Sequence, residues 1–228
     1  MAAAAKNRSV FAIVVSIIVV VAVIGVGVVV YLMNRQAAEP ATAPAAGVVN
    51  EETGAVEIGD GDQTVTEYID FMCPICNSAH EAYHDTVTSL IEDGTITLEI
   101  HPMGLLDNMS QGTEYSSRTA NAAYCVAEDN GDAFYPFMDL LFKNQPSEGS
   151  TGLDDDELIG YAKQAGAEGA ESCITDGTYR DFVAQQLDEM PVMPGMSGRA
   201  TPTILVNEEF VSPQGGFDAE ADIVANLD

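Results

Sequence analysis

The chain has 228 residues, enough for one ordinary domain and a further segment. Its 36 acidic and 8 basic side chains give a formal net charge of −28, which excludes a nucleic-acid binder, because that role needs Lys and Arg against phosphate. Yet 46% of the chain is hydrophobic, so the averages conceal two dissimilar regions, and no histidine- or cysteine-rich tract points to a multi-metal protein.

The first region runs from Val10 to Met33, 24 uncharged residues made mostly of Val, Ile and Ala. As a helix it reaches ~36 Å, enough to cross a ~30 Å hydrocarbon core with some tilt. A cleavable signal peptide is the alternative, since Lys6 and Arg8 form a basic start and Ala43-Pro-Ala-Ala46 mimics a cleavage site. Its apolar core should run to only ~7–15 residues, so the expectation is an uncleaved anchor. Lys6 and Arg8 precede the span and only Arg35 follows it closely, which places residues 1–9 in the cytoplasm and the remainder outside. Residues 34–54, with Pro40 and Pro44 among Ala and Gly, read as a tether, and the folded part is expected over 55–228. Beyond Arg35 five basic side chains face all 36 acidic ones, a charge of −31 that discourages close docking on anionic lipid.

Thr64 to Phe71 is β-branched and aromatic and predicts a strand running into Cys73-Pro-Ile-Cys76. Cys76, Ala79, Tyr83, Val87 and Leu90 then recur at helical spacing, Pro74 suits the first helical position, and Gly94 ends the helix. Cys73 therefore falls at the N-cap, where unpaired N–H groups and the helix dipole favour a thiolate. Cys76 falls on the apolar face with a higher pKa. One thiol is primed to attack and the other to resolve, the asymmetry that thiol–disulfide exchange requires. Cys73, Cys76, His80 and His84 also form a C-x2-C-x3-H-x3-H string. Its ends lie ~16 Å apart along a straight helix, so all four cannot share one zinc ion, no metal site is expected, and both histidines read as flank residues.

Further along, Ser117–Glu128, Ala133–Lys143, Asp154–Ala165 and Asp181–Glu189 read as helices. Asp154-Asp-Asp-Glu157 looks like a cation site but opens a helix, where acidic residues favour the dipole. No EF-hand loop is present.

The strand, the C-P-x-C motif, the helix and a late Arg199-Ala-Thr-Pro-Thr-Ile-Leu-Val206 together resemble the DsbA-like thioredoxin family over about residues 55–228. The resemblance implies an α/β thioredoxin fold with a helical insertion at about 107–195, preceded here by one transmembrane helix. It implies a cis peptide at Pro202, with Thr201 facing the Cys73–Cys76 disulfide and the preceding backbone free to pair with an extended substrate. Pro74 and Ile75 would border the same substrate groove. Glu67, six residues before Cys73, matches the family's acidic residue beneath the disulfide, where it would exchange a proton with Cys76 through water; a solvated strand Glu is the bland alternative. Cys125 and Cys173 would form a second, structural disulfide as in some relatives, in keeping with an oxidising compartment; two buried free thiols are the alternative. Departures are Ile75 in place of the histidine of the strongest oxidants, Ala200 where many relatives have Gly, Met72 instead of Trp, and Asn207-Glu208 closing the last hairpin where Asn-Gly is usual.

The expected function is therefore an anchored oxidoreductase that introduces disulfides into exported proteins. Cys73 takes the attack of a substrate thiolate and Cys76 resolves the mixed disulfide. No organic or metal cofactor is required, and a membrane quinone-linked reoxidant would restore the disulfide. A reductase or isomerase with the same residues, and a redox-inactive anchored peptide binder, are the competing readings.

Overall fold

A computed structural model of the protein describes residues 3–36, 41–213 and 215–227. They form two units, one within residues 1–40 and one within 41–228.

The first unit is a single helix, α1 (Ala3–Gln36). Its stretch Phe11–Val30 is 20 residues long with a mean hydropathy of 3.3, and its side chains are exposed. At 1.5 Å per residue it spans ~30 Å, the thickness of a hydrocarbon core, which makes α1 a candidate membrane anchor by length and composition.

The second unit is built on a five-stranded sheet in the order β1-β3-β2-β4-β5. β2 (Gln63–Ile69) lies at its centre, parallel to β3 (Ile96–Pro102) and antiparallel to β4 (Thr203–Val206). β1 (Val56–Ile58) and β5 (Glu209–Val211) are short edge strands, antiparallel to β3 and β4. The parallel β2–β3 pair needs a crossover, and α2 (Pro74–Glu92) supplies it. α2 buries Cys76, Ala79, Tyr83 and Val87, the stripe at spacings of three and four. It ends with Asp93, followed by Gly94 at φ 74°, a left-handed conformation that glycine adopts without a side-chain clash.

Between β3 and β4 lies the helical insertion: α3 (Tyr115–Asp129), α4 (Phe134–Lys143), α5 (Asp155–Ala165), α6 (Glu171–Asp176) and α7 (Arg180–Glu189). α3 is its spine, buried along Thr119–Ala127. The four predicted helices are all present with ends shifted by one or two residues, while α6 was not anticipated. Asp154 caps α5 rather than binding a cation: its side chain accepts from the Glu157 N–H at 2.9 Å, and the Glu157 carboxylate accepts from the Asp154 N–H at 2.9 Å. The Cys125–Cys173 disulfide joins α3 to α6 with Cα atoms 5.7 Å apart. α8 (Ala219–Asp222) closes against α2, where the Tyr83 hydroxyl donates to Asp222 at 2.8 Å.

Part of the stretch read as a tether belongs to this body. Pro44 and Val49 are buried, the Ala45 N–H donates to Glu128 at 3.3 Å, and the Tyr124 hydroxyl donates to the Gly54 carbonyl at 3.3 Å. The packed chain thus begins by Ala41, because Pro44, Val48 and Val49 have apolar surface to cover even though no periodic pattern announces it. Residues 37–40 lie outside the described residues.

Candidate active site

Cys73 and Cys76 sit where β2 hands over to α2. Cys73 is the N-cap residue, with extended backbone at φ −77° and ψ 115°, and Pro74 follows at the first helical position. Both thiols are largely buried, 5% and 1% exposed, and both are reduced here, whereas Pro74 and Ile75 between them are exposed. The Cys73 thiol is pulled down to about 6, chiefly because the Cys76 S–H donates to it. The N–H groups of Cys76 and Ile75 at the helix start and the Thr201 hydroxyl add to this, against the cost of burial. Burial and the neighbouring Cys73 charge push the Cys76 thiol well above its usual range; the Asp70 N–H, 3.5 Å from its sulfur, only partly offsets this. The asymmetry expected from the motif is therefore present in the folded chain.

The chain closes over this pair from the far end of the sequence. The Thr201–Pro202 peptide is cis, and the Thr201 carbonyl accepts from the Cys73 thiol at 3.3 Å. Thr203 fixes the turn, its hydroxyl donating to the Ala200 carbonyl at 2.6 Å.

Glu67 is buried, 7% exposed, on the central strand between Ile100 of β3 and Ile204 of β4. Burial raises its carboxyl to about 7, with nearby His80 opposing the shift slightly. A carboxyl that titrates near neutrality can take or give a proton, which a solvated strand Glu at its ordinary pKa cannot do as well.

Two residues were not singled out from the sequence. Asp70 is fully buried and accepts three hydrogen bonds: from the Met72 N–H at 2.8 Å, the Ser116 hydroxyl at 2.7 Å and the Leu106 N–H at 2.8 Å. It ties the active-site turn to the β3–α3 connection and to α3, and burial raises its carboxyl to about 6. An acid inside the predicted strand, directly before Phe71 and Met72, was the available signal. Gln145, just past α4, donates through its side-chain amide to the Phe71 carbonyl at 3.1 Å and the Cys73 carbonyl at 2.9 Å. Nothing local in the sequence marks it.

The C-x2-C-x3-H-x3-H string separates as its length requires. Cys73 turns to Thr201, while His80 and His84 turn to α4 and converge on Asp139. They are more than flank residues: His80 packs against Phe142 and His84 stacks on Tyr135.

The family described as thioredoxin matches residues 52–223. Among solved structures, the reduced disulfide bond oxidoreductase DsbG of Mycobacterium tuberculosis is 30% identical with a TM-score of 0.68, covering 79% of this chain and 88% of that one. Reduced DsbA of the same organism is 30% identical with a TM-score of 0.63, over 70% of this chain and 85% of its own. The thiol-disulfide oxidoreductase MdbA of Corynebacterium matruchotii, 24% identical with a TM-score of 0.61 over 77% of this chain and 89% of that one, shares the fold. A curated relative, the serine/threonine-protein kinase PknE of M. tuberculosis, is 33% identical over 119 residues, half of this chain; the chain spans only 21% of that protein's length. The chain belongs to the thioredoxin family. Within it, the inserted helices and the likeness to DsbG and DsbA place it among the DsbA-like protein disulfide oxidoreductases.

Proposed function

We propose that Cys73 and Cys76 form the redox centre and that it works as an oxidase on cysteine pairs of exported proteins. The observation that carries this is the split between the two thiols, Cys73 near 6 and Cys76 far above it. Stabilising the Cys73 thiolate stabilises the dithiol relative to the disulfide, which makes the disulfide form the more oxidising.

In the disulfide form, a substrate thiolate attacks the Cys73 sulfur and the Cys73–Cys76 bond breaks. The electron pair leaves on Cys76, whose high pKa draws a proton supplied by Glu67 through water. The substrate's second thiolate then attacks its own sulfur in the mixed disulfide, and Cys73 departs as a thiolate. The products are a substrate disulfide and the Cys73/Cys76 dithiol. In this direction attack by Cys76 on the mixed disulfide merely releases the substrate unoxidised, so its resolving role belongs to escape from unproductive complexes. Thr201 and Pro202 border the groove for the substrate strand, and exposed Ile75 offers an apolar contact beside it. The disulfide itself carries the electrons, so no organic or metal cofactor enters the exchange.

The apolar helix α1, with Lys6 and Arg8 ahead of it, supports a single-pass anchor with the N-terminus cytoplasmic and the catalytic unit outside. A membrane quinone-linked reoxidant would take the electrons from the dithiol.

A redox titration of the full-length protein in detergent against glutathione buffers tests the direction. With Cys73 between thioredoxin (pKa ~7) and the strongest oxidants (~3.5), the expected potential lies between about −270 and −120 mV. A value at or below ~−270 mV would instead assign a reductase. The exchange reading also requires the Cys73 thiolate of Cys76→Ala to attack disulfides already present in exported proteins and to accumulate as mixed disulfides with them; if none form, the groove is a peptide-binding site only.

A further inference from the structure

Outside the thiol site, α2 and α4 bring three metal-ligating side chains to one point. His80 and His84 are four residues apart on α2 and therefore share a face. Asp139 comes from α4. The His80 Nε2 lies 2.8 Å from Asp139 Oδ1, and the His84 Nε2 lies 3.3 Å from the same oxygen and 3.4 Å from Oδ2. Three such atoms, all within 4.8 Å of one another, crowd a single point. Ligands held at ~2.0–2.2 Å around one ion stand ~2.8–3.6 Å apart at octahedral or tetrahedral angles, the range in which both imidazole–carboxylate distances fall.

The surroundings suit a cation. On the far side of the His84 ring, Nδ1 is 3.3 Å from the Asp85 carboxylate. In the tautomer that donates to Asp85 from Nδ1, Nε2 is left to coordinate, the outer-shell arrangement typical of metal-bound histidine. The rings are held by packing, His84 stacked on Tyr135 with centroids 5.6 Å apart and His80 against Phe142 at 4.9 Å. The cleft beside them, about 420 Å³, is open to solvent and is lined by Glu81 and Asp85 as well as the three ligands, with Lys143 also in its lining. The three ligating side chains are therefore reachable from solvent.

We infer that His80, His84 and Asp139 form a binding site for a divalent transition metal of the zinc class, distinct from the Cys73/Cys76 pair. Two imidazoles and one carboxylate form the donor set of open zinc sites. Bound there, the ion bridges α2 of the thioredoxin layer to α4 of the insertion.

The test uses the full-length protein in detergent, oxidised so that Cys73 and Cys76 are locked in a disulfide and cannot themselves bind metal. Zn²⁺ is titrated against a chromogenic competing chelator at ~0.15 M salt, where diffuse attraction to the acidic surface is largely screened. One equivalent should bind. His84→Gln and Asp139→Asn should each weaken binding by at least about tenfold, whereas Cys73→Ser/Cys76→Ser should leave it unchanged. The melting temperature of the oxidised protein should rise with the logarithm of zinc concentration, and not in His84→Gln. Absence of binding, or binding that His84→Gln leaves intact, overturns the assignment. His84→Gln is the deciding variant because the side chain is 35% exposed and its replacement leaves the core packed.

Discussion

Glu67 and Asp70 are buried carboxyls three residues apart, yet their surroundings give them different work. Asp70 is saturated by three donors and holds a turn together. Glu67 lies between isoleucines with its carboxyl near 7 rather than its ordinary 4.5. A folded-state pKa above the unfolded one means that the folded protein holds the proton longer. Glu67 therefore favours folding least above pH 7, and the deficit fades as pH falls through 7 and is gone below 4.5. Glu67→Gln is expected to stabilise the protein by about 2–3 kcal/mol at pH 8 and by almost nothing at pH 4, read from urea unfolding at the two pH values. The same substitution should slow thiol exchange at least about tenfold, since Gln cannot carry the proton. Asp70→Asn trades an acceptor for a donor against three donors, and should cost about 2–3 kcal/mol in the same unfolding measurement. Cys73, Cys76, Thr201, Pro202 and Glu67 were legible because a motif or a fixed offset marks them. Asp70, Gln145 and Asp139 were not, because each ties groups that lie 36 or more residues away to its own segment and no local pattern records that.

Among the elements, those with a strong period or a cap were readable. α2 announced itself by spacing, Pro74 and Gly94, and α5 by its acidic start. β1, β3, α6 and α8 carry no motif and take their form from neighbours. The three-residue β1 exists only as a pairing with β3, and the six-residue α6 is held by the disulfide to α3. That disulfide closes a loop of 48 residues, which should contribute up to about 4 kcal/mol. Cys125→Ala/Cys173→Ala is therefore expected to lower the melting temperature by ~8–16 °C in a chain of this size, measured by circular dichroism. The hairpin between β4 and β5 turns on Asn207 and Glu208, both left-handed at φ 49° and 68°. Glutamate is a poor choice there, so Glu208→Gly should stabilise by about 1 kcal/mol, seen as a higher urea midpoint at unchanged slope.

At the scale of the whole molecule, the contrast between an apolar helix and an acidic body is the organising fact, and composition alone exposed it. A body of this sign attracts cationic chains and repels anionic ones over about a Debye length. Dithiol peptides rich in Lys should be oxidised faster at 20 mM than at 500 mM NaCl, and Glu-rich peptides slower, in a stopped-flow exchange assay.

The Cys73 thiol meets the Thr201 carbonyl across 128 residues of sequence. A ribosome adding ~5–20 residues per second needs roughly 6–26 s to make that stretch. Throughout that interval Cys73 and Cys76 exist without the segment that covers them, while Cys125 and then Cys173 emerge. Four nascent thiols allow three pairings, and only the one that joins 125 to 173 leaves the working pair intact. During its own birth the chain is thus a client of the kind of chemistry it will later perform.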